Sequence, residues 1–131
     1  MNLADRICIP VPRIRLYQRP EYPLVRFASV FDLAAHVAIA HSAIAAGNTL
    51  GLDAAALKDI VKVSSGRSFG FEVYARLPNP FAFAHGAKML LKDVRLLNEV
   101  LGSDPAFTAF REVALPFLEH VQAGAAGRSS A

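Results

Sequence analysis

The sequence predicts an all-α fold of about five helices in a single domain. Apolar residues recur at spacings of three and four over most of the chain, which is the period of a helix with one buried face. Glycine, proline and capping residues divide this pattern into segments of helical length, and strand-like alternation is almost absent. With 131 residues, 53% hydrophobic and 19% charged, the chain has enough apolar side chains for one core and too little charge for a disordered protein.

The first segment, residues 1–23, is predicted to be an extended arm. It holds four of the eight prolines of the chain, which limits it to an edge strand or a linker-like arm. Residues 1–26 carry five arginines and two acidic residues, whereas the rest of the chain is balanced in charge. Such an arm either contacts phosphates or an acidic partner, or is a solvated segment. Because no nucleic-acid-binding motif accompanies it, we do not expect nucleic-acid binding.

The helical domain is predicted over residues 24–123. Its first helix begins at Leu24 and passes through an alanine-rich stretch with one apolar face, ending near Gly47. The turn Gly51-Leu52-Asp53 follows, and its aspartate is placed to cap a second helix over residues 54–63.

Three further helices are predicted beyond the second one. Ser68 is the expected N-cap of a short helix that ends near Arg76. The fourth and clearest helix carries an apolar stripe at spacings of four, three and four, formed by Leu90, Val94, Leu97 and Leu101. Asp104-Pro105 supplies a cap and a first helical residue for the fifth helix, which is expected to end near Val121. Residues 124–131 are predicted to form a flexible tail.

Cysteine usage and hydropathy point to a cytoplasmic protein. Cys8 is the single cysteine, so neither an internal disulfide nor a multi-cysteine zinc site is available, and a reducing compartment fits. The alanine-rich apolar run 34–46 is shorter than the roughly 20 residues that span a bilayer. The first residues lack the basic start and apolar core of a secretory signal. We therefore expect no membrane association.

The sequence carries no complete phosphate-binding or catalytic motif. It has neither a Gly-x-Gly-x-x-Gly fingerprint nor a P-loop, the glycine turns that bring backbone amides to a phosphate. His36 and His41 are five residues apart, off the spacing of four that puts two metal ligands on one helix face. We expect them to be packing residues, and we predict no metal site.

One polar cluster on the fourth helix stands out. His85 and Lys92 are seven residues apart and therefore share a face, with Asp93 beside them. Judged by spacing alone, this cluster is either a solvated polar face opposite the apolar stripe or part of a binding site.

Three segments, in this order and at this spacing, carry a family resemblance. They are Gly51-Leu52-Asp53, the small-residue turn Ser64-Ser65-Gly66-Arg67-Ser68-Phe69, and the Lys-Asp segment Met89-Leu90-Leu91-Lys92-Asp93-Val94. From about Ala43 to Val121 the chain resembles the C-terminal helical domain of the β-hydroxyacid dehydrogenases. This group includes 3-hydroxyisobutyrate dehydrogenase and tartronate semialdehyde reductase and is related to 6-phosphogluconate dehydrogenase. The resemblance implies a fold like the C-terminal domain of 6-phosphogluconate dehydrogenase.

The resemblance also implies a cofactor, partners and site residues. In that family a separate Rossmann domain binds the nicotinamide cofactor, while the helical domain closes the cleft and contributes to dimerisation. The implied cofactor is NAD or NADP, with Lys92 and Asp93 as cofactor-binding residues and Ser68 and His85 at the substrate. These 131 residues lack the Rossmann fingerprint, so the implied partner is a second copy or a chain that supplies a Rossmann domain.

One departure from the family concerns proton transfer. Counting back without gaps from Gly51 puts Arg26 at the approximate place of the family's catalytic lysine. Arginine stays protonated and cannot donate and recover a proton as a lysine can. We therefore expect no catalysis by this chain alone, and the catalytic residue is unknown. The alternative is a non-catalytic helical self-association module or a truncated remnant, with apolar surface covered by an oligomer contact.

Overall fold

A computed structural model describes residues 22–129 of the chain, and the side chains of residues 28–128. Most of the predicted arm, residues 1–21, and the last residues, 130–131, lie outside the described residues. All regular secondary structure in residues 22–129 is helical, which confirms the all-α prediction. The five α-helices and one 3₁₀-helix are α1 (Tyr22–Thr49), α2 (Ala54–Lys62), α3 (Phe69–Ala75), the 3₁₀-helix (Pro80–Phe83), α4 (Ala84–Leu101) and α5 (Pro105–Ser129).

The predicted caps start three of these helices. Each capping oxygen satisfies a first-turn amide that has no partner within the helix. Asp53 Oδ2 accepts from the Ala56 amide at 3.0 Å, Ser68 Oγ from Phe71 at 2.9 Å, and Asp104 Oδ1 from Ala106 at 2.8 Å. The turn between α1 and α2 uses Gly51 at a φ of 79°, a conformation that favours glycine.

Two helix ends differ from the sequence prediction. Helix α1 begins at Tyr22, two residues inside the predicted arm. Helix α5 runs to Ser129 instead of ending near Val121, so the segment predicted as a flexible tail, residues 124–131, is helical as far as Ser129.

A tertiary contact accounts for the longer α5. The Phe81 ring lies where a β-carbon on Gly124 would be, and the guanidinium of Arg128 lies 4.5 Å from the centroid of the same ring. An arginine over an aromatic face is attractive. The last turns of α5 are therefore packed against the 3₁₀-helix. This long-range contact cannot be predicted from the local sequence.

Helix α1 is the centre of the fold, because it contacts each of the other four α-helices. In addition, α4 packs along α5. The largest fully buried side chains come from α1, α4 and α5 and are Val37, Val94, Leu118 and Val121.

Helices α1 and α3 approach each other closely at Gly70. A β-carbon on Gly70 would lie 2.6 Å from the β-carbon of His36 and 3.1 Å from the backbone nitrogen of Val37. Only glycine permits this approach, and it brings the turn that precedes α3 against α1.

Judged by length and composition only, helix α1 is long and apolar enough over Ala28–Thr49 to cross a membrane, with a mean hydropathy of 1.4. Core helices of soluble proteins and signal sequences near an N-terminus meet the same criterion. Here Ala34, Val37 and Ala38 of this stretch are buried in the core, and 33% of its most apolar window is buried within the fold.

Candidate functional site

The turn between α2 and α3 lies against α1 and borders a pocket of about 380 Å³. We call this space the turn pocket. Its polar lining is His36 from α1 together with Ser65, Arg67 and Ser68 from the turn, and its remaining walls are mostly apolar. Mostly apolar walls with a few polar groups are typical of small-ligand sites.

The polar groups of the turn pocket favour an anionic ligand. His36 Nε2 lies 3.4 Å from Asp32 Oδ1, one helical turn earlier on α1. Arg67 is exposed and forms no ion pair among the described residues. A guanidinium presents a planar set of N–H donors that matches a carboxylate. The pocket can therefore bind a small carboxylate through Arg67.

Ser68, a predicted substrate residue, lies in the turn pocket. Its oxygen already accepts a hydrogen bond from the Phe71 amide at 2.9 Å, so part of its role is structural. A serine hydroxyl also carries one donor hydrogen, which this bond does not use. Ser68 can therefore cap α3 and donate to a ligand at the same time.

The other residues predicted to bind cofactor or substrate lie on α4, which contributes nothing to the lining of the turn pocket. His85 and Lys92 are exposed there, and Asp93 is half-buried. The predicted cofactor residues and Ser68 therefore do not share one pocket.

Exposed basic side chains form what we call the basic stripe of α4, at spacings of three, four and three. These are His85, Lys88, Lys92 and Arg95. Among the described residues of the stripe, only Arg95 forms an ion pair, with its Nη2 4.0 Å from Glu119 Oε1. The stripe is a surface that attracts anions.

Arg26, at the approximate place of the family lysine, lies in the first turns of α1. Its side chain lies outside the described residues, so its role stays a prediction from the sequence. It precedes His36, the α1 residue of the turn pocket, by ten positions.

A second concavity, of about 850 Å³, lies between α1 and α5. We call it the imidazole groove because His41 and His120 both line it, with ring centroids 6.5 Å apart. His41 packs on Phe117, with centroids 5.0 Å apart, as expected of a packing residue. The pairing with His120 was not predicted, since the two residues lie on helices far apart in the sequence.

Burial controls the protonation of His41 and its hydrogen-bond partner. Burial lowers the pKa of His41 below its usual value of 6.5, and the neighbouring His120 lowers it further. Burial raises the pKa of Tyr74 above its usual 10.0. Both groups are therefore neutral at pH 7, which suits the hydrogen bond between the Tyr74 hydroxyl and His41 Nδ1. In the described part of the chain, no group of three His, Cys, Asp or Glu residues is placed to hold a metal ion.

Comparison of this chain with models of protein families, with curated proteins and with solved structures finds no match. The fold is all-α. The resemblance to the β-hydroxyacid dehydrogenases stays an expectation from three segments of the sequence, and no comparison supports it.

Proposed function

We propose that this chain is the substrate-side helical domain of an NAD(P)-dependent oxidoreductase similar to the β-hydroxyacid dehydrogenases, acting together with a Rossmann domain. The observation that carries this proposal is the turn pocket. There, the small-residue turn of the resemblance presents Arg67 and Ser68 opposite His36, around a space of about 380 Å³. A guanidinium beside a hydroxyl donor suits a small hydroxy acid.

Each polar residue of the turn pocket has a role in this proposal. Arg67 binds the substrate carboxylate with its planar N–H donors. Ser68 donates its free hydroxyl hydrogen to a substrate oxygen, while α3 keeps it in position through the Phe71 amide. Asp32 orients the imidazole of His36, which then forms a hydrogen bond with the substrate hydroxyl.

The basic stripe is the part of the described chain that fits an anionic cofactor. NAD or NADP, when bound, supplies the hydride-transfer chemistry. Lys92, with Asp93 beside it, attracts its phosphate groups, and hydride transfer then requires the nicotinamide end to reach from α4 to the substrate in the turn pocket. Because no glycine-rich phosphate cradle occurs in the sequence, a Rossmann domain supplies that half of the site, and this helical chain does not act alone. A reducing, cytoplasmic location is part of the proposal.

A titration with NADH and NADPH tests the cofactor side. The purified full chain is titrated while nicotinamide fluorescence is followed, together with Lys92→Ala and the matched control Lys62→Ala. Lys62 is an exposed lysine on α2, outside the basic stripe. We expect saturable binding by the wild type and by Lys62→Ala, and its loss in Lys92→Ala. Absence of saturation at millimolar cofactor, or equal loss in both variants, contradicts the proposal.

Binding of 3-hydroxyisobutyrate, followed by amide chemical shifts, tests the substrate side. Arg67→Ala is compared with Arg76→Ala, since Arg76 is an exposed arginine just beyond the other end of α3. Removal of a guanidinium that binds a carboxylate is expected to weaken affinity about tenfold or more. Equal affinity in the two variants removes Arg67 from the site.

A second candidate function is that of a non-catalytic self-association module. The observation that favours it is the exposure of two β-branched side chains at the imidazole groove, Ile39 at 52% and Val113 at 41%. Apolar side chains that are exposed together on adjacent helices mark surfaces that assemblies cover.

A further inference from the structure

We infer that the imidazole groove is a self-complementary interface that binds a second copy of this chain. This proposal does not depend on nicotinamide binding, and it rests on the second candidate function, self-association at this groove. It rests on the order of charged and apolar side chains along the exposed face of α5 and on the neighbouring face of α1.

The α5 side of the groove carries an acidic residue at one end and a histidine at the other. Glu112, Pro116 and His120 follow one another at a spacing of four, all three are exposed, and all three line the groove. Eight residues of α-helix rise about 12 Å, so Glu112 and His120 of one chain are too far apart to pair with each other. Neither of them has an ion-pair partner among the described residues.

A two-fold axis beside Pro116 gives both Glu112 and His120 a partner in the second copy. It sets two α5 helices antiparallel, which places Glu112 of one copy opposite His120 of the other. The same symmetry generates the reciprocal pair, because a two-fold interface uses one patch twice. The imidazole N–H donates to the carboxylate, and protonation of the imidazole adds a charge attraction. The occupant that complements this face is therefore the same face of another copy.

The centre of the proposed interface is apolar. Val113 on α5 and Ile39 on α1 are partly exposed at the groove, and Pro116 lies between the two charged positions. On the α1 side, Ser42 and Ala43 are small, which lets a second helix approach closely. An apolar centre between polar ends is the usual arrangement of a protein interface.

Charge exchange in sedimentation equilibrium of the full chain tests this pairing. We expect a wild-type dimer, and about a tenfold or larger increase of its dissociation constant in Glu112→Lys, which replaces the hydrogen-bond acceptor opposite His120 by a donor, and in His120→Glu, which puts two carboxylates opposite each other. The double variant, Glu112→Lys with His120→Glu, is expected to restore the dimer because the pairs reappear with their charges exchanged. Glu99→Lys is the matched control, since Glu99 is an exposed glutamate of α4 outside the groove.

Three results would overturn the inference. One is a wild-type chain that stays monomeric at concentrations up to about 1 mM. This result overturns the inference even if another molecule binds the groove. Another is a set of single variants that dimerise as Glu99→Lys does, and the third is a double variant that does not recover. Circular dichroism confirms that each variant is folded. NADH titration of Glu112→Lys gives a separate readout, so failure of the dimer and failure of cofactor binding are distinguishable.

Discussion

The Nδ1 atom of His41 in α1 lies 2.8 Å from the hydroxyl oxygen of Tyr74 in α3. The ring of Phe117 in α5 lies beside both, with its centroid 5.0 Å from that of His41 and 6.2 Å from that of Tyr74. One hydrogen bond and two ring contacts thus join three helices. Because Tyr74 is only 8% exposed, its hydroxyl depends on this partner, and the bond selects the packing in which the two side chains meet.

Tyr74→Phe tests the contribution of this bond. The variant keeps the ring and leaves His41 Nδ1 without its partner, so we expect the free energy of unfolding to fall by about 1 kcal/mol. Urea denaturation followed by circular dichroism measures it. Ser64→Ala is the control, because it removes an exposed hydroxyl bonded to the Val61 carbonyl and should change stability little. Equal effects of the two substitutions would show that the Tyr74–His41 bond contributes no more to the free energy of unfolding than the exposed Ser64 bond does.

The lowered pKa of His41 predicts a loss of stability in acid. Between the folded-state pKa of His41 and its usual value of 6.5, the unfolded chain binds more protons than the folded one. This contribution to the free energy of unfolding is therefore fully present above pH 6.5 and is lost as the pH falls from 6.5 towards the folded-state pKa.

Urea denaturation at about pH 7.5 and about pH 5.5, on either side of the usual histidine value, measures this effect. His41→Gln lacks the titrating group and keeps polar atoms that can bond to Tyr74, so its stability should differ less between the two pH values. A variant with the same pH dependence as the wild type would assign the effect to other groups.

Gly70→Ala tests the close approach of α3 to α1. The new β-carbon would lie 2.6 Å from the β-carbon of His36 and 3.1 Å from the Val37 nitrogen. Since the backbone of α1 cannot yield easily, we expect a loss of about 1–3 kcal/mol in the free energy of unfolding. A β-carbon added to Gly127 on α5 would have no atom within 4 Å. Gly127→Ala should therefore stabilise the helix, because alanine is the better helix former. Thermal melts that give both variants the same sign of change would contradict this prediction.

Ser68→Ala tests the capping role of a predicted substrate residue. It removes the oxygen that accepts from the Phe71 amide, and we expect a loss of about 1 kcal/mol in the free energy of unfolding. Ser65→Ala is the control, since Ser65 also lines the turn pocket and makes no capping bond. Unchanged stability in Ser68→Ala would mean that another group caps α3.

The candidate site was only partly predictable from the sequence. The turn that contains Arg67 and Ser68 was identified by its small residues, and the structure places it at a pocket. The sequence did not indicate that His36 lies across that pocket, or that the α4 face with His85 and Lys92 contributes nothing to its lining. Spacing along one helix places residues on a common face, but it does not say which other helix that face meets.

The sequence by itself determined the all-α class and the starts of three helices. Asp53, Ser68 and Asp104 act within one turn of their own position, so their effect needs no other part of the chain. Tertiary structure alone decided the His41–Tyr74 bond, which joins residues 33 positions apart, and the packing of Phe81 on Gly124, which keeps the end of α5 helical. Both depend on which helix faces meet, and that is set by the simultaneous burial of apolar surface over the whole chain.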